Sequence, residues 1–557
     1  MSRRRASVFL AIALSLVGGA CGSSDSGVGG EAGQGGTLDT KVTERLEVSD
    51  APEGVPTTIG PRGEPEGRFV YAWHTAFSPA WLDPSENPAL ITVYAFQYAL
   101  HDALVKHLPG QPFAPSLAES YDIADDFRMA TFTLREDARF HNGEPVTSAD
   151  AKFSFENYRG ANATLMKSKV ERIETPDPRT IRFVFNEPFL DFLLLYGSAA
   201  SGAGWVVPQE YYTEVGPDGF KQHPIGAGPY KFVRNDNNTE IELEAVPDYW
   251  RRSPNVKTLV YRFITDAATR FAAVQTGEVD AINQLDGALI PAAMGNSEFT
   301  VAATQAGPFW LEFPGWEQPG NPFNDIRVRK AISLAIDRQA LSDAEAGGMA
   351  PIEGTWIPET WPGAITKDGV DPETYESNLD KAKQLMAEAG VPDGFEVPLF
   401  TPLPPYYSLA ERLITQLGEI GIRTTLNKME RAAFVEALAS GPDALPGIIL
   451  NISGAPGDAA SRIRAFATCE GASSRTCIPE VDQKFAAYEA STDAEERDRL
   501  ITEVQRTLSD QYVFPYVYEL AFVTVQGQTL ANPWDEIWGA IPQYLYLGPY
   551  EDIELRS

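Results

Sequence analysis

The sequence predicts an α/β fold built from about three structural units. The chain has 557 residues, which is too long for a single hydrophobic core. The apolar pattern predicts strand, helix and strand at residues 395–401, 409–420 and 422–426, an order that is typical of a parallel sheet. Between Glu240 and Val246 apolar and acidic residues alternate, which indicates a half-buried strand.

The N-terminus has the features of a signal peptide. Three arginines at positions 3–5 precede an apolar run at 8–17, which is too short to span a membrane. Small residues then lead to Cys21. This resembles a bacterial lipobox in which Cys21 is lipidated, although Gly18 stands where an aliphatic residue is usual. Cleavage by an ordinary signal peptidase is the alternative. We expect an exported protein, in the periplasm or lipid-anchored on the outer face of the cytoplasmic membrane.

The segment after Cys21 and the net charge of the chain indicate which partners to expect. Residues 22–67 are rich in Gly, Ser, Glu, Thr and Pro, so they predict a flexible tether. The formal charge of the chain is −32, which repels phosphate backbones and argues against nucleic acid as a partner. A simpler explanation of this charge is that it keeps the protein soluble outside the cell.

Further elements follow along the chain, indicated by turn residues, helix caps and apolar spacing. The predicted strands are residues 68–73, 131–135, 180–185, 230–234, 240–246, 259–264, 309–313, 447–452, 513–518 and 522–525. The predicted helices are residues 91–104, 266–276, 432–438 and 493–508, with two more that begin at Thr147 or Ser148 and at Asn324 or Asp325.

The densest group of motif residues lies between Ile225 and Asp280. A glycine turn, G-x-G-P-Y, is followed by P-x-Y-W, a strand, D-A-x-T-R and G-x-x-D. The residues of this pattern are Gly226, Gly228, Pro229, Tyr230, Pro247, Tyr249, Trp250, Asp266, Ala267, Thr269, Arg270, Gly277 and Asp280.

This ordered pattern resembles the signature of the extracellular solute-binding proteins of family 5, the cluster C substrate-binding proteins of ABC importers. Three other segments are similar to motifs of that family: residues 115–120 (P-x-L-A-E-S), 140–150 (F-H-x-G-x-P-x-T) and 322–331 (P-F-x-D-x-R-V-R-x-A). Members of the family bind oligopeptides, dipeptides, nickel complexes and some sugars or opines.

The resemblance implies a bilobal periplasmic-binding-protein fold, type II-like and of cluster C, with an extra α/β domain in the first lobe. Crossing strands are expected between the lobes, which close on a ligand by hinge motion. The implied boundaries are 1–20 for the signal peptide, 21–67 for the lipidated N-terminus and tether, 68–113, 223–308 and 521–557 for domain I, 114–222 for the extra domain II, and 309–520 for domain III, the second lobe.

No catalytic motif stands out in the sequence. It lacks a G-x-S-x-G elbow, a Walker-type loop, G-x-G-x-x-G after a strand, and zinc-ligand spacing among its five histidines. His141 lies in a family motif, where the resemblance implies a structural role. We therefore expect neither an enzyme nor a metal or cofactor, and an exported hydrolase is the weakest alternative.

Two cysteines, Cys469 and Cys477, lie in a loop rich in Gly, Ser and Ala. In an exported protein two nearby cysteines most simply form a disulfide. A metal-binding pair is the alternative, which the absence of a nearby histidine disfavours.

Candidate ligand-binding residues follow from the resemblance. Ligand pockets combine apolar and aromatic walls with a few polar groups, and the chain has ten tryptophans. For any single tryptophan, ordinary core packing is an equally good interpretation. The implied ligand-binding residues are His74 and Trp81 in the opening loop next to Trp73, then Trp205, Trp310 beside the hinge, Trp361, and Asn451, Ser453 and Asp458.

The segment 451–458 departs from the peptide-binding members of the family. They carry D-Y-P-D there, and its first Asp pairs with the α-amine of the peptide. This chain has Ser453 or Gly454 at that position and keeps only Asp458. A charge-assisted hydrogen bond of this kind contributes about 1.5–3 kcal/mol. Both a peptide-like solute and a sugar, opine or other polar metabolite stay open, while the few histidines disfavour nickel.

The resemblance implies a receptor that binds a small solute or peptide and hands it to the transmembrane subunits of an ABC permease. We expect a monomer. A sensory receptor on the same fold, with a kinase instead of a permease as its partner, is the alternative.

Overall fold

The computed structural model describes residues 64–556, except 88–90, 109–110, 161, 198–200, 237–238, 402–405, 430–432, 435–436, 438–439, 442–443, 453–457, 472 and 533–547. The predicted signal peptide, Cys21, most of the tether and Ser453 lie outside the described residues. Within the described ranges, no helix is both long enough and apolar enough to cross a membrane.

The strands lie in three sheets. They are β1 (Glu66–Trp73), β2 (Val105–Leu108), β3 (Gln111–Pro115), β4 (Ala118–Ile123), β5 (Met129–Leu134), β6 (Val170–Asp177), β7 (Thr180–Phe185), β8 (Tyr230–Asp236), β9 (Glu240–Ala245), β10 (Val256–Phe263), β11 (Ala281–Ile282), β12 (Thr300–Glu312), β13 (Glu396–Thr401), β14 (Arg423–Lys428), β15 (Ile448–Ile452) and β16 (Tyr516–Gln526).

Helices cover the sheets. They are α1 (Ile91–Leu100), α2 (Ser148–Asn157), α3 (Ala163–Lys169), α4 (Phe192–Tyr196), α5 (Gln209–Gln222), α6 (Ala267–Gln275), α7 (Ile290–Met294), α8 (Ile326–Ala335), α9 (Arg338–Ala346), α10 (Leu379–Glu388), α11 (Tyr407–Gly418), α12 (Ala459–Phe466), α13 (Pro479–Ala490) and α14 (Ala494–Asp510).

One sheet of ten strands, among the residues that the structure describes, runs through the whole molecule in the order β14-β13-β15-β12-β16-β11-β1-β10-β9-β8. At its centre β12 and β16 pair antiparallel from Thr300–Gln526 to Trp310–Tyr516. We call the part with β1–β11 and the residues after Gln526 the first lobe, and the part with β13–β15 and α8–α14 the second lobe. β12 and β16 therefore connect the two lobes.

Several hydrophobic cores support the lobes. In the first lobe, Phe69, Trp73 and Tyr261 belong to a core between the large sheet and α1. A second sheet, β4-β5-β7-β6, has its own core around Phe132 and Phe183. The largest core fills the second lobe, continues along β12 and β16, and extends into the first lobe under α6, where it includes Val70, Phe271 and Ile282. The predicted domain boundaries themselves stay a prediction.

Local sequence signals placed several elements correctly. Of the alternative helix caps, the structure selects Thr147 for α2 and Asp325 for α8, whose side chains accept hydrogen bonds from backbone N–H groups of the first turn. The prediction of two strands at 513–518 and 522–525 was wrong. Residues 516–526 form the single strand β16, because all of them are buried and all but Val517 pair with β12. β12 itself begins at Thr300 rather than at 309.

The glycine turn of the central motif packs directly on the end of α1. A Cβ at Gly226 would lie 2.0 Å from the carbonyl oxygen of Leu100, and one at Gly228 would lie 2.7 Å from the Leu100 carbonyl carbon. His141 fastens this turn, since its Nδ1 accepts from the N–H of Gly226 at 3.2 Å and its Nε2 donates to the carbonyl oxygen of Gly228 at 3.0 Å. These contacts support the structural role that the resemblance implies for His141.

The P-x-Y-W part of the motif surrounds a buried ion pair. Lys106 Nζ lies 2.6 Å from Asp102 Oδ1, and both side chains are almost fully buried. The second oxygen of Asp102 accepts from the hydroxyl of Tyr249 at 2.9 Å and from Nε1 of Trp250 at 2.5 Å. Burying a carboxylate is tolerable only when it is paired and hydrogen-bonded, so Tyr249 and Trp250 help to make this pair possible.

Replacing Asp102 with Ala is therefore expected to lower the free energy of unfolding by about 3–5 kcal/mol, because the ammonium of Lys106 would stay buried without its counter-charge. Urea unfolding followed by circular dichroism measures the change. The matched control is Glu156→Ala, which removes an exposed ion pair with Lys152 and should leave the midpoint nearly unchanged. Equal midpoints for the two variants would contradict this account.

Candidate ligand-binding site between the lobes

β15 ends beside β12, one of the two strands that connect the lobes. β15 pairs with β12 only at the second-lobe end, where Ile452 lies opposite Phe309. The chain therefore leaves the sheet after Ile452 close to the point where β12 enters the second lobe. The predicted ligand-binding segment 451–458 begins there.

Two of the predicted tryptophans meet around a buried arginine. The guanidinium carbon of Arg462 lies 5.2 Å from the ring centre of Trp310 and 4.3 Å from that of Trp361. Trp356 packs edge-on against Trp310, with ring centres 5.9 Å apart. We call Trp310, Trp356, Trp361 and Arg462 the aromatic cluster. Cation–π contacts of this geometry contribute about 0.5–2 kcal/mol each, so the cluster stabilises the core of the second lobe, in which Trp310 is fully buried.

Asn451 is joined to the aromatic cluster through Glu312. The amide Nδ2 of Asn451 and the indole Nε1 of Trp310 both donate to Glu312 Oε1, each at 2.8 Å. The amide oxygen of Asn451 accepts from the N–H of Ile452 at 2.8 Å. Both ends of the Asn451 side chain thus bind protein groups, and burial raises the pKa of Glu312.

Asp458 is the N-cap of α12. Its Oδ1 accepts from the N–H of Ser461 at 2.7 Å, and its Oδ2 accepts from the Ser461 hydroxyl. Burial raises the pKa of Asp458 to about 6, and the nearby Asp191 adds to the rise. Because both oxygens already accept hydrogen bonds, Asp458 is a poor replacement for the amine-pairing aspartate. The D-x-x-S spacing is a helix-cap pattern that the sequence already contained.

His74 lies on the first-lobe side, at the end of β1. Its Nδ1 is 2.5 Å from Oδ1 of the buried Asn283, and its ring meets Phe522 of β16 edge-on at 6.0 Å. Burial lowers the pKa of His74 to about 4. The imidazole is therefore neutral at physiological pH and beside one of the connecting strands.

The other predicted tryptophans belong to the first-lobe core. Trp205 is 3% exposed and packs edge-on against Tyr98 at 6.2 Å. Trp81 is half-buried and lies 6.1 Å from the ring of Phe77, while Trp73 is fully buried. These placements favour the packing interpretation for all three, whereas Trp310 and Trp361 lie together in the second lobe.

Ion pairs that no sequence motif indicates join the two lobes. Asp191, which precedes α4 in the first lobe, has its oxygens 3.2 Å from Nη2 of Arg464 on α12 and 3.0 Å from Nη2 of Arg497 on α14. All three side chains are mostly buried. The partners are 273 and 306 positions apart, so no local pattern could pair them. The lobes are in direct contact at these interlobe ion pairs.

Other features of the second lobe lie away from this contact. A small cavity of about 20 Å³ lies beside Trp356 and is lined by residues of α8, α14 and the chain that leads into β16. Cys469 and Cys477 are bonded to each other. Their loop rests on the chain after β12, where Glu317 Oε1 accepts from the N–H of Cys477 at 2.8 Å. Among the described residues, no group of three or more His, Cys, Asp or Glu is placed to hold a metal ion.

Comparison with known families gives one match that covers most of the chain. The model described as bacterial extracellular solute-binding proteins, family 5 Middle, matches residues 112–474. The di/tripeptide-binding protein 3 of Pseudomonas aeruginosa is 26% identical over 474 residues, which cover 78% of this chain and 86% of that protein.

Solved structures share the fold. The ABC transporter-associated periplasmic binding protein DppA of Helicobacter pylori, in complex with the peptide STSA, superimposes with a TM-score of 0.71 at 22% identity, over 86% of this chain and 98% of that chain. The binding protein MoaA of A. tumefaciens R10, in complex with mannopinic acid, gives a TM-score of 0.72 at 23% identity, over 88% and 100% of the two chains. The bilobal prediction is confirmed at the level of the fold.

The lowered pKa of His74 makes a prediction for acid stability. Because the folded state holds the imidazole neutral down to about pH 4 and the unfolded chain protonates near pH 6.5, His74 costs stability as the pH falls through this window, by up to about 3 kcal/mol. The variant His74→Asn lacks this cost. Urea unfolding at pH 7, 5.5 and 4.5 should show the wild type losing stability relative to the variant. A constant difference across the series would contradict the buried neutral imidazole.

Proposed function

Because this chain belongs to the bacterial extracellular solute-binding proteins of family 5, we propose that it is the receptor of an ABC importer. It captures a peptide or peptide-like solute between its two lobes and delivers it, chemically unchanged, to the transmembrane subunits of a permease. The protein is exported and held at the outer face of the membrane by a lipid on Cys21, with residues 22–67 as the tether.

The observation that carries this proposal is the way the lobes are connected. Among the residues that the structure describes, the halves of the large sheet are joined by two neighbouring strands, β12 and β16. The register of β12 shifts between Gln305 and Gly307. Gly307 has a φ of 118°, which favours glycine. Such an irregularity allows a strand pair to bend, and domain closure uses hinges of a few residues.

Closure is supported by the interlobe ion pairs. Asp191 lies in the first lobe, whereas Arg464 and Arg497 lie in the second. Their ion pairs therefore form only when the lobes approach each other. They therefore stabilise the closed form. A closed cleft excludes water, and this strengthens the polar contacts that a bound solute makes.

A peptide-like solute is the class that the relatives support. The di/tripeptide-binding protein and the peptide complex named above point to it. The mannopinic acid complex supports a second candidate, an opine-type solute, and the loss of the first Asp of D-Y-P-D in segment 451–458 favours it as well. The receptor is expected to bind without turnover, and a monomer suffices for this role.

Isothermal titration with alanine peptides of two to five residues, and separately with mannopinic acid, tests the solute class. We expect heat of binding with at least one peptide and one site per chain. Heat with mannopinic acid alone would replace the peptide by the opine-type solute. The absence of binding to every compound in both sets would overturn the proposed solute classes.

The interlobe ion pairs make a separate prediction. The variant Asp191→Asn should weaken solute binding by about fivefold, equivalent to about 1 kcal/mol, because the open form becomes more populated without its counter-charge. Small-angle X-ray scattering of the free protein should show a larger radius of gyration for the variant. The matched control is Glu489→Gln, which removes the other partner of Arg464 within the second lobe, at 3.0 Å.

If both variants leave the radius of gyration unchanged, or if both enlarge it equally, Asp191 does not control closure. The comparison separates an effect on closure from the loss of any ion pair, because Asp191 and Glu489 bind the same guanidinium of Arg464 from opposite sides of the cleft.

A further inference from the structure

Glu519 is a fully buried carboxyl group on the strand that leads back from the second lobe. It lies on β16 opposite Pro308 of β12, and its side chain is 0% exposed. Its Oε1 accepts a hydrogen bond of 2.7 Å from the N–H of Gly307. That N–H is at the register shift of β12, so one oxygen of Glu519 is held at the connection between the lobes.

The second oxygen of Glu519 is a buried acceptor without a protein partner. Oε2 makes no hydrogen bond to any residue that the structure describes. A buried polar atom left in this condition costs about 1–3 kcal/mol, and such atoms are rare in folded proteins and call for an explanation. A ligand group that donates a hydrogen bond to Oε2 would remove this cost.

The sheet register places Glu519 at the predicted ligand-binding segment. Phe309 lies opposite both Ile452 of β15 and Tyr518 of β16. The next row toward the first lobe contains Pro308 and Glu519. β15 ends at Ile452, so Glu519 lies beside the point where segment 451–458 leaves the sheet. The acidic residue expected in that segment is missing from the sequence, and Glu519 offers a carboxyl group at the same level of the sheet.

The groups around Glu519 are short of positive charge. Arg462 attracts both Glu519 and Asp458, while Glu353 repels Glu519. Burial raises the pKa of all three carboxyl groups. Arg462 is therefore shared between Glu519 and Asp458, of which Asp458 also has Arg464 nearby, and Glu353 adds a further carboxyl group beside Glu519. An added cation would be stabilised here.

The other nearby cations are already bound to carbonyl oxygens, since Lys367 Nζ donates to that of Ile352 at 3.1 Å and Arg338 Nη2 to that of Tyr516 at 2.7 Å. The Tyr516 hydroxyl accepts from the N–H of Glu353 at 3.1 Å, and burial raises its pKa. Glu359 donates its N–H to Glu353 Oε2 at 3.0 Å, and burial raises the pKa of its own carboxyl group. The loop 353–359 and β16 thus add acceptors and neutral groups beside Glu519.

We propose that Glu519 is the residue that binds a cationic ammonium group of the solute and so selects for amine-bearing solutes. This inference rests on the proposed function and names the chemistry that the cleft recognises. Glu519 takes the place of the acidic residue that segment 451–458 lacks, from a different strand and about sixty positions later in the chain.

Calorimetry with a matched peptide pair tests this role. The probes are the free-amine peptide that binds most tightly among the two- to five-residue alanine peptides and its N-acetylated form. The wild type should bind the acetylated form about 10- to 100-fold more weakly, the size expected for one charge-assisted hydrogen bond. The variant Glu519→Gln keeps an oxygen for the Gly307 N–H but loses the charge. It should lose most of its preference for the free amine.

A proton count separates ligand contact from a structural role. Burial raises the pKa of the Glu519 carboxyl group, so the arrival of a cationic amine favours release of the proton from that group. Titrations at pH 6 in phosphate and in bis-Tris should therefore show more proton release per peptide by the wild type than by Glu519→Gln. The control is Glu551→Gln, another fully buried carboxyl group with an unpartnered oxygen, paired with Arg251 in the first lobe. It should keep both the preference and the proton release.

The outcomes are distinguishable. If the wild type binds no peptide, the peptide function fails and the role of Glu519 falls with it. If the wild type binds the free and acetylated peptides equally, or if Glu519→Gln keeps the wild-type preference and proton release, the role of Glu519 is refuted while the peptide function stands. The first comparison needs no variant, so a folding defect cannot obscure it.

Discussion

Backbone hydrogen bonds between β12 and β16 hold both lobes in one sheet, and the other features of the site depend on this pairing. The first-lobe strands attach through β11 at one end of β16, and the second-lobe strands attach through β15 at the far end of β12. The aromatic cluster, Glu519 and the start of segment 451–458 all lie where the pair enters the second lobe. Any bend of the pair therefore moves these groups relative to His74 and Asp191.

Buried arginines hold separate segments of the chain together within each lobe. Arg270 of the D-A-x-T-R motif donates to the carbonyl oxygens of Asn283 and Gln284, at the end of β11. Arg338 at the start of α9 donates to the carbonyl oxygens of Tyr516 and Thr374. A guanidinium that serves several carbonyl groups ties separate segments together without needing a carboxylate. Arg270 thus ties α6 to the end of β11, and Arg338 ties α9 to β16.

The sequence predicted the α/β class and most elements, because caps, turns and apolar spacing are local signals, whereas the bilobal fold followed from the resemblance to the family. It also named Trp310 and Trp361 as separate candidates, and the structure brings both against Arg462. It could not pair Asp191 with Arg464 and Arg497, nor single out Glu519, since in a chain with 77 acidic residues only the sheet register reveals which carboxyl group lies at the hinge. Trp205 shows another limit. From the sequence alone, a tryptophan in a segment of small residues cannot be assigned either to a hydrophobic core or to a ligand-binding cleft.

The most direct test of the central claim is native mass spectrometry of the purified protein, followed by release and return of the bound solute. If two lobes enclose a solute and pass it on intact, the spectrum shows one small molecule per chain. The released compound, added back to the emptied protein, is then recovered with the same mass and structure. Recovery of a different compound would contradict the account, as would a protein that binds the same solute equally well after the lobes are cross-linked in an open state.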